Sequence, residues 1–129
     1  MIIGIGIDIV NINRIQRVII RHENRFLDRI YTPHELLIGN QIADKFGYFA
    51  KRWAAKEACS KALGTGLRKG VFWRDIEIHS HKGGLPFIVL HGGALQHLKN
   101  LTPKGYQSKI HLTMSDDHPS AIAQVTIDA

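Results

Sequence analysis

The first ten residues, MIIGIGIDIV, alternate in a way that predicts a strand with two unlike faces. Successive side chains of a strand point to opposite sides, so the isoleucines share one face while the glycines and Asp8 share the other. These are Ile3, Ile5, Ile7 and Ile9 on one face and Gly4, Gly6 and Asp8 on the other. The glycines leave room for another backbone or a ligand beside Asp8. A second interpretation stays open locally, in which Asp8 lies past the strand and caps the following helix.

Hydrophobic spacing and breaker residues divide the rest of the chain into short elements. The predicted elements are strand 2–8, helix 11–21, a helical stretch at 24–30, a turn at 32–33 with Thr32 as N-cap and Glu35 completing a capping box, helix 43–63, hairpin strands 75–80 and 86–91, helix 94–101, and strands 106–115 and 121–127. This order predicts an α+β fold, with a mainly antiparallel sheet packed against a long central helix. The 129 residues, 44% of them hydrophobic, predict a single domain over 1–129.

The predicted helix 43–63 carries a carboxylate on an aromatic stripe. At about 100° per residue, Phe46, Ala50, Trp53, Glu57 and Lys61 fall within one sector of the helix. A carboxylate on a core-facing stripe is costly unless it is paired, hydrogen-bonded or bound to a metal. An ordinary i,i+4 ion pair between Glu57 and Lys61 is the simpler interpretation. The small apolar residues on the other side of the helix favour packing on more than one side instead.

The two candidate acids converge if this helix crosses the glycine face of the first strand. Two carboxylates are the usual protein share of a Mg²⁺ site, because Mg²⁺ keeps part of its hydration. Nearby lysines and glycines suit a phosphate or diphosphate bridged by that metal. These residues are Lys56, Lys61, Gly64 and Gly66. The pattern around Asp8 and Glu57 therefore indicates chemistry at a phosphoryl group.

Composition adds an anionic partner to this interpretation. The chain has 17 lysines and arginines against 11 acidic residues, a formal net charge of +6, and its isoelectric point is near 9.7. In the first predicted helix Arg14, Arg17 and Arg21 form a stripe opposite the isoleucines, either an ordinary solvated face or a docking surface for an acidic partner. A nucleic-acid-binding module would explain the charge. It would leave Glu57 unexplained, and interleaved exposed aromatic residues are missing.

The sequence also predicts where the protein works. Its apolar runs are too short to span a bilayer, and the N-terminus has neither a basic segment nor a cleavage site typical of a signal peptide. Cys59 is the single cysteine, so no internal disulfide can form. We expect a protein of the reducing cytoplasm, with Cys59 as a packing residue.

Two motifs carry a resemblance to a known family. IGIGIDIV, followed about fifty residues later by FAKRWAAKEACSKALGTG, resembles the signature pair of the 4′-phosphopantetheinyl transferases, and within them the short bacterial class, the holo-[acyl-carrier-protein] synthases. The likeness runs from end to end, through the DIEI strand, the GGLPFIVL hairpin and the closing HLTMS and AIAQV strands. It implies Mg²⁺-dependent transfer of 4′-phosphopantetheine from coenzyme A to a serine of apo-acyl carrier protein. Adenosine 3′,5′-bisphosphate is released, and the reaction supports fatty acid biosynthesis.

The resemblance also assigns roles to residues. Asp8 and Glu57 would hold Mg²⁺ on the coenzyme A diphosphate, Glu57 would take the serine proton directly or through a metal-bound water, and Lys61 would stabilise the departing phosphate. The coenzyme A contacts it implies, besides Lys61, are Arg52, Lys56, Ser60, Gly64, Gly66 and Pro86. Arg14 and Arg21 match the helix that docks the acidic carrier protein. Family members of this length resemble homotrimers with active sites between adjacent subunits.

This chain departs from the family pattern at two positions. Asp116 stands where many members have a histidine, so a role for that histidine cannot be transferred. Asn11 stands three residues after Asp8, where an acid is frequent. His79 and His81 share a strand face, but two ligands without a third do not make a metal site, and we interpret them as surface residues. A different Mg²⁺-dependent enzyme, such as a diphosphate hydrolase, would use the same acids and stays open as an alternative.

Overall fold

The computed structural model describes residues 1–129 and contains five α-helices and five strands. In chain order these are β1 (Ile2–Asn11), α1 (Ile12–His22), α2 (Asn24–Ile30), α3 (Pro33–Gly39), α4 (Lys45–Ala62), β2 (Ile76–Ser80), β3 (Pro86–Leu90), α5 (Gly92–Leu101), β4 (Lys109–Asp117) and β5 (Ser120–Asp128), with a 3-10 turn at Trp73–Asp75 before β2. One antiparallel sheet has the order β1-β5-β4, and β2 and β3 form a separate antiparallel hairpin. The predicted α+β fold with antiparallel sheets is confirmed.

Strand β1 is longer than the sequence predicted, and this settles the position of Asp8. Asp8 lies inside the strand, opposite Ala123 of β5. The cap of α1 is Asn11, whose Oδ1 accepts hydrogen bonds from the amides of Asn13 at 2.9 Å and Arg14 at 3.2 Å. The capping interpretation of Asp8 is therefore wrong, and Asn11 has a structural role as the cap of α1.

Helix α4 lies directly across the glycine face of β1. A Cβ added at Gly6 would lie 2.8 Å from the Ala62 amide nitrogen and 2.9 Å from the Ala58 carbonyl carbon, so only glycine allows this approach. The core-facing side of α4 is accordingly built from small residues, namely Ala54, Ala55, Ala58, Cys59 and Ala62, all of them buried. The close contact fixes the side chains of α4 relative to the strand that carries Asp8.

Helix α4 is packed on more than one side, as the sequence predicted, but its aromatic stripe is only partly covered by the core. Trp53 and Glu57 are only partly buried, and Lys61 is exposed. The glycine face of β1 accepts only small side chains, so the alanines of α4 lie against it, while the large residues Tyr48, Phe49 and Lys56 are buried against other elements. Glu57 thus lies at the border of the core and solvent, where it can be reached by a ligand.

The predicted capping box at the start of α3 is present. Thr32 N donates to Glu35 Oε1 at 2.8 Å, and Glu35 N donates to Thr32 Oγ1 at 3.3 Å. Glu35 is fully buried, so its carboxylate needs partners within the core as well as the cap. No helix of the structure combines the length and the apolar character needed to cross a membrane.

Candidate active site

Asp8 and Lys61 meet where β1 passes the C-terminal part of α4. The ammonium of Lys61 donates to the Ile7 carbonyl oxygen at 2.9 Å and to Asp8 Oδ1 at 3.3 Å. The side chain of Asp8 is 16% exposed and that of Lys61 is 51% exposed. The lysine is therefore held by the strand while part of its charge still faces solvent, where a substrate anion can reach it.

Glu57 lies one turn before Lys61, close enough to Asp8 for the two carboxylates to repel. Burial raises the pKa of Glu57, the charge of Asp8 raises it further, and Lys61 and Arg14 oppose the rise. Burial also raises the pKa of Asp8, against the hydrogen bond and charge of Lys61 and the charge of Arg14. Both acids thus hold their negative charge at a cost that a bound cation would relieve.

Glu57 and Lys61 border a cavity of about 610 Å³. Its lining residues are Glu57, Lys61, Gly64, Thr65, Gly66, Leu67, Arg68 and Trp73. Gly64 and Gly66 have φ of +81° and +62°, values that side-chain-bearing residues rarely adopt. The amides of Thr65 and Gly66 both donate to the Ser60 carbonyl oxygen, at 3.2 and 3.0 Å, so the loop folds back on the end of α4.

Four of the predicted residues come together at this cavity. Glu57, Lys61, Gly64 and Gly66 line it, and Asp8 joins them through Lys61. The sequence analysis missed Thr65, Leu67, Arg68 and Trp73. Only the glycine breaker signalled the loop that carries Thr65, Leu67 and Arg68, and Trp73 belongs to no periodic pattern.

Lys56 and Ser60 do not line the cavity. Lys56 is fully buried, with its ammonium 2.8 Å from Glu35 Oε1. Ser60 is also fully buried, and its hydroxyl donates to the Glu57 carbonyl oxygen at 2.7 Å. Both positions fall on the core side of α4, Lys56 about 100° and Ser60 about 60° around the helix from Glu57, so their side chains point away from the cavity.

Arg52 and Pro86 lie apart from the cavity within one chain. The Arg52 guanidinium stacks over the Tyr48 ring, 3.7 Å from its centroid, and its buried Nε has no hydrogen-bond partner. Arg52 and Tyr48 line a separate cavity of about 270 Å³, together with Ile42, Asp44 and Lys51. Pro86 is the partly buried first residue of β3. A single chain therefore does not gather every residue that the resemblance assigned to coenzyme A.

The predicted docking arginines lie on the open side of α1. Arg14 and Arg21 are exposed, whereas Ile12, Ile15 and Ile19 of the same helix are buried. The basic stripe therefore faces solvent on the helix whose first turn adjoins Asp8.

Two histidines that the sequence left as surface residues are partly tied into the hairpin. His81 stacks on Phe87 with ring centroids 4.2 Å apart, and His79 Nε2 lies 3.0 Å from Glu77 Oε1. The structure contains no group of three or more histidine, cysteine, aspartate or glutamate side chains arranged to hold a metal. Asp116, at the position of the family histidine, is exposed and pairs with Lys51 at 3.4 Å.

The site is suited to an oxygen-rich phosphorylated ligand. Asp8 and Glu57 supply only carboxylate oxygens, the donors that Mg²⁺ prefers, and a diphosphate together with water would complete its coordination. Lys61 and Arg68 add positive charge beside them, and the loop after α4 brings backbone close to the ligand. The donor set thus fits a magnesium ion that the protein would hold through two carboxylates only.

Comparison with known proteins places these observations in a family. Residues 4–123 match the family model described as the 4′-phosphopantetheinyl transferase superfamily. The chain is 51% identical over 127 residues to a holo-[acyl-carrier-protein] synthase of Parvibaculum lavamentivorans, covering 98% of this chain and 96% of the relative.

Solved structures give the same result. The fold is similar to the crystal structure of the holo-[acyl-carrier-protein] synthase from Neisseria meningitidis, with a TM-score of 0.86, 40% identity and complete coverage of both chains. The Helicobacter pylori holo-[acyl-carrier-protein] synthase in complex with coenzyme A has a TM-score of 0.81 and 34% identity, covering 96% of this chain and 99% of that one.

Proposed function

This chain is an enzyme of the 4′-phosphopantetheinyl transferase superfamily, and from that membership and the site geometry we propose that it converts apo-acyl carrier protein to its holo form with coenzyme A. The observation that carries the proposal is the meeting of Asp8, Lys61 and Glu57 at the edge of a glycine-lined cavity. The transfer supports fatty acid biosynthesis. The single cysteine is free and buried, which is consistent with a reducing cytoplasm.

Glu57 and Lys61 act directly on the reacting groups in this proposal. Glu57, whose pKa is raised by burial, accepts the proton of the carrier serine hydroxyl. The serine oxygen forms a bond to the nearer phosphorus of the pantetheine, and the bond from that phosphorus to the adenosine-side phosphate oxygen breaks. Lys61 faces the oxygen that gains charge, and the released product is adenosine 3′,5′-bisphosphate.

Asp8 and Glu57 are the residues that would hold Mg²⁺. When bound, the ion neutralises the diphosphate and favours the departure of its adenosine-side phosphate. The protein contributes the orientation of both carboxylates, Asp8 through β1 and Glu57 through α4. The same two groups repel in the free protein, which favours binding of a cation.

Arg14 and Arg21 are proposed to dock the carrier protein. Both are exposed on α1, and the charge of Arg14 reaches the two carboxylates of the site. An acidic carrier bound along this stripe would present its serine beside Asp8 and Glu57. Opposite charges of this kind speed association and fix orientation.

The outer face of the β1-β5-β4 sheet supports a homotrimer. Ile5, Ile7 and Ile9 are 60%, 54% and 65% exposed in a row along β1. A contiguous apolar strip of this kind is typical of a surface that another subunit covers. We propose that this face joins the subunits and that active sites lie between adjacent chains.

A shared site would give Arg52 and Pro86 the roles that the resemblance assigns to them. Within one chain Arg52 borders a separate cavity and keeps a buried Nε without a partner. Such a group can bind an anionic part of coenzyme A presented by the neighbouring subunit.

Replacing Ile7 by lysine should lower the mass measured by light scattering and abolish transfer, while Leu37→Lys, at a 63% exposed position of α3, should change neither.

The decisive test is intact-protein mass spectrometry of apo-acyl carrier protein after incubation with coenzyme A and Mg²⁺. The wild-type chain should add one phosphopantetheine group, and Asp8→Asn should not. Asp28→Asn, at an exposed acid on α2, is the matched control and should behave as wild type. Loss of coenzyme A without a modified carrier would instead support the diphosphate hydrolase, and no reaction with any carrier tested would refute the proposal.

A further inference from the structure

A buried lysine anchors the end of the loop that encloses the cavity. Lys56 of α4 and its ion-pair partner Glu35 are both fully buried. Besides bonding Glu35, the Lys56 ammonium donates to the Trp73 carbonyl oxygen at 3.2 Å and to the Ile76 carbonyl oxygen at 2.5 Å. All three N–H groups of the lysine are therefore used, and two of them hold backbone that leads out of the cavity.

Glu35 holds the lysine in place from the opposite side. Its Oε1 accepts from the Thr32 amide at 2.8 Å as well as from Lys56, and its Oε2 accepts from the Ile78 amide at 2.8 Å. One carboxylate thus connects the start of α3, the middle of α4 and strand β2. The capping residue that the sequence predicts is also a fixed support for Lys56.

The loop of residues 64–75, called here the cavity loop, is tied to α4 at both ends. At its beginning the amides of Thr65 and Gly66 bond the Ser60 carbonyl oxygen. At its end the Trp73 carbonyl bonds the Lys56 ammonium, one turn earlier on the same helix. Residues 68–70 between these anchors are exposed. The Lys56 bond therefore acts together with the packing of Trp73 on Trp53 and the buried Val71 to place the Trp73 wall relative to Glu57 and Lys61.

We propose that Lys56 and Glu35 are positioning residues for phosphopantetheinyl transfer, which hold the cavity loop at the distance from α4 that coenzyme A requires. The inference rests on the proposed function, because it names the ligand for which the loop is set. Stability alone is a weak explanation for the pair, since replacing a buried ion pair by uncharged residues is often neutral or stabilising. A role in positioning explains why two of the three donors of Lys56 point to backbone next to the cavity.

The test uses the double variant Glu35→Gln/Lys56→Met, which removes both charges together and leaves no unpaired buried ion. Ile19→Ala, in a buried position of α1 away from the cavity, is the control for loss of stability. Each protein is first checked by circular dichroism and thermal melting. The KM for coenzyme A and kcat are then measured by the carrier mass assay.

Binding of coenzyme A is followed separately through tryptophan fluorescence. The chain has two tryptophans, Trp53 and Trp73, with ring centroids 4.2 Å apart, and Trp73 lines the cavity. The signal reports binding without turnover. We expect the double variant to raise both the KM and the Kd for coenzyme A by about 10- to 100-fold, with a smaller change in kcat. We expect Ile19→Ala to leave both within about twofold.

A folded double variant with the wild-type KM and Kd would overturn the positioning role. If that variant does not fold, Glu35→Gln takes its place, because it weakens the hold on Lys56 but keeps the lysine. An increase of about threefold in the KM relative to the Ile19→Ala control would support the proposal, and an unchanged KM would refute it. A wild-type protein that binds coenzyme A but modifies no carrier would refute the proposed function, while the comparison of Kd values between wild type and variant would still decide the positioning role.

If the wild-type protein does not bind coenzyme A, the proposed function and the positioning role are both refuted.

Discussion

Replacing Gly6 by alanine should damage catalysis through a small displacement of β1. The added Cβ would lie 2.9 Å from the Ala58 carbonyl carbon and 2.8 Å from the Ala62 amide nitrogen. Carbon atoms separate to 3.5–4.0 Å at their optimum, so the contact with the Ala58 carbonyl carbon alone requires the strand and α4 to part by about 0.6 Å, and the Ala58 carbonyl oxygen, which is the nearest atom, requires more. Both contacts are helix backbone, which cannot rotate out of the way as a side chain can.

The consequence reaches Asp8, two residues further along the same face of β1. The Lys61 to Asp8 hydrogen bond is 3.3 Å in the structure, and a displacement of at least this size lengthens it to about 3.9 Å or more, beyond hydrogen-bond range. We expect kcat/KM for the transfer to fall by about 10- to 100-fold. Overpacking should lower the free energy of unfolding by about 1–3 kcal/mol.

The control is Gly39→Ala, which overpacks the core at a distance from the cavity. A Cβ at Gly39 would lie 2.7 Å from Phe49 Cε1 and 2.8 Å from Tyr48 Cε1. We expect a similar loss of stability in urea unfolding, with kcat/KM close to wild type at a temperature where both variants are folded. A folded Gly6→Ala variant with full activity, or an equal loss of activity in both variants, would refute the reasoning.

Three further predictions concern the charges of the site. The pKa values of Asp8 and Glu57 are raised, so the acidic limb of the pH profile of kcat/KM should have an apparent pKa above 4.5, the ordinary value for a glutamate carboxyl. An apparent pKa below 4.5 would contradict this prediction. The pKa of Glu57 is higher in the folded state than in the unfolded state, so the folded state favours the protonated form. The free energy of unfolding therefore falls as pH rises through the raised pKa and Glu57 ionises. At neutral pH Glu57→Gln should therefore raise the melting temperature by about 1–3 °C while transfer falls at least ~100-fold, and a lower melting temperature would count against it. Arg14→Ala and Arg21→Ala should each raise the KM for the carrier protein several-fold, more at low salt than at high salt, and leave the KM for coenzyme A unchanged. The variant Arg17→Ala tests whether the whole basic stripe takes part. A rise in the carrier KM that does not depend on ionic strength would exclude docking by charge.

Local patterns in the sequence were sufficient for the elements and for the two motifs. Alternation in MIIGIGIDIV placed Asp8 and the glycines on one face, and helical spacing placed Glu57 and Lys61 one turn apart. The capping box at Thr32 and Glu35 followed from side-chain chemistry within four residues. These predictions succeed because each depends on groups that are neighbours along the chain.

Contacts between distant segments were decided only by the tertiary structure. The sequence treated Lys56 as a phosphate contact, because nothing nearby indicated that Glu35, twenty-one residues earlier, would neutralise it in the core. The extent to which the aromatic stripe of α4 is buried was also decided by the fold, since the alanines of the helix lie against the glycines of β1 and Trp53 stays only partly buried. Periodicity gives the relative phase of side chains but not which face meets the sheet. The face of a helix that meets the sheet depends on the space that a distant strand leaves. In this protein the two glycines of β1 determine that the alanine face of α4 packs against the strand.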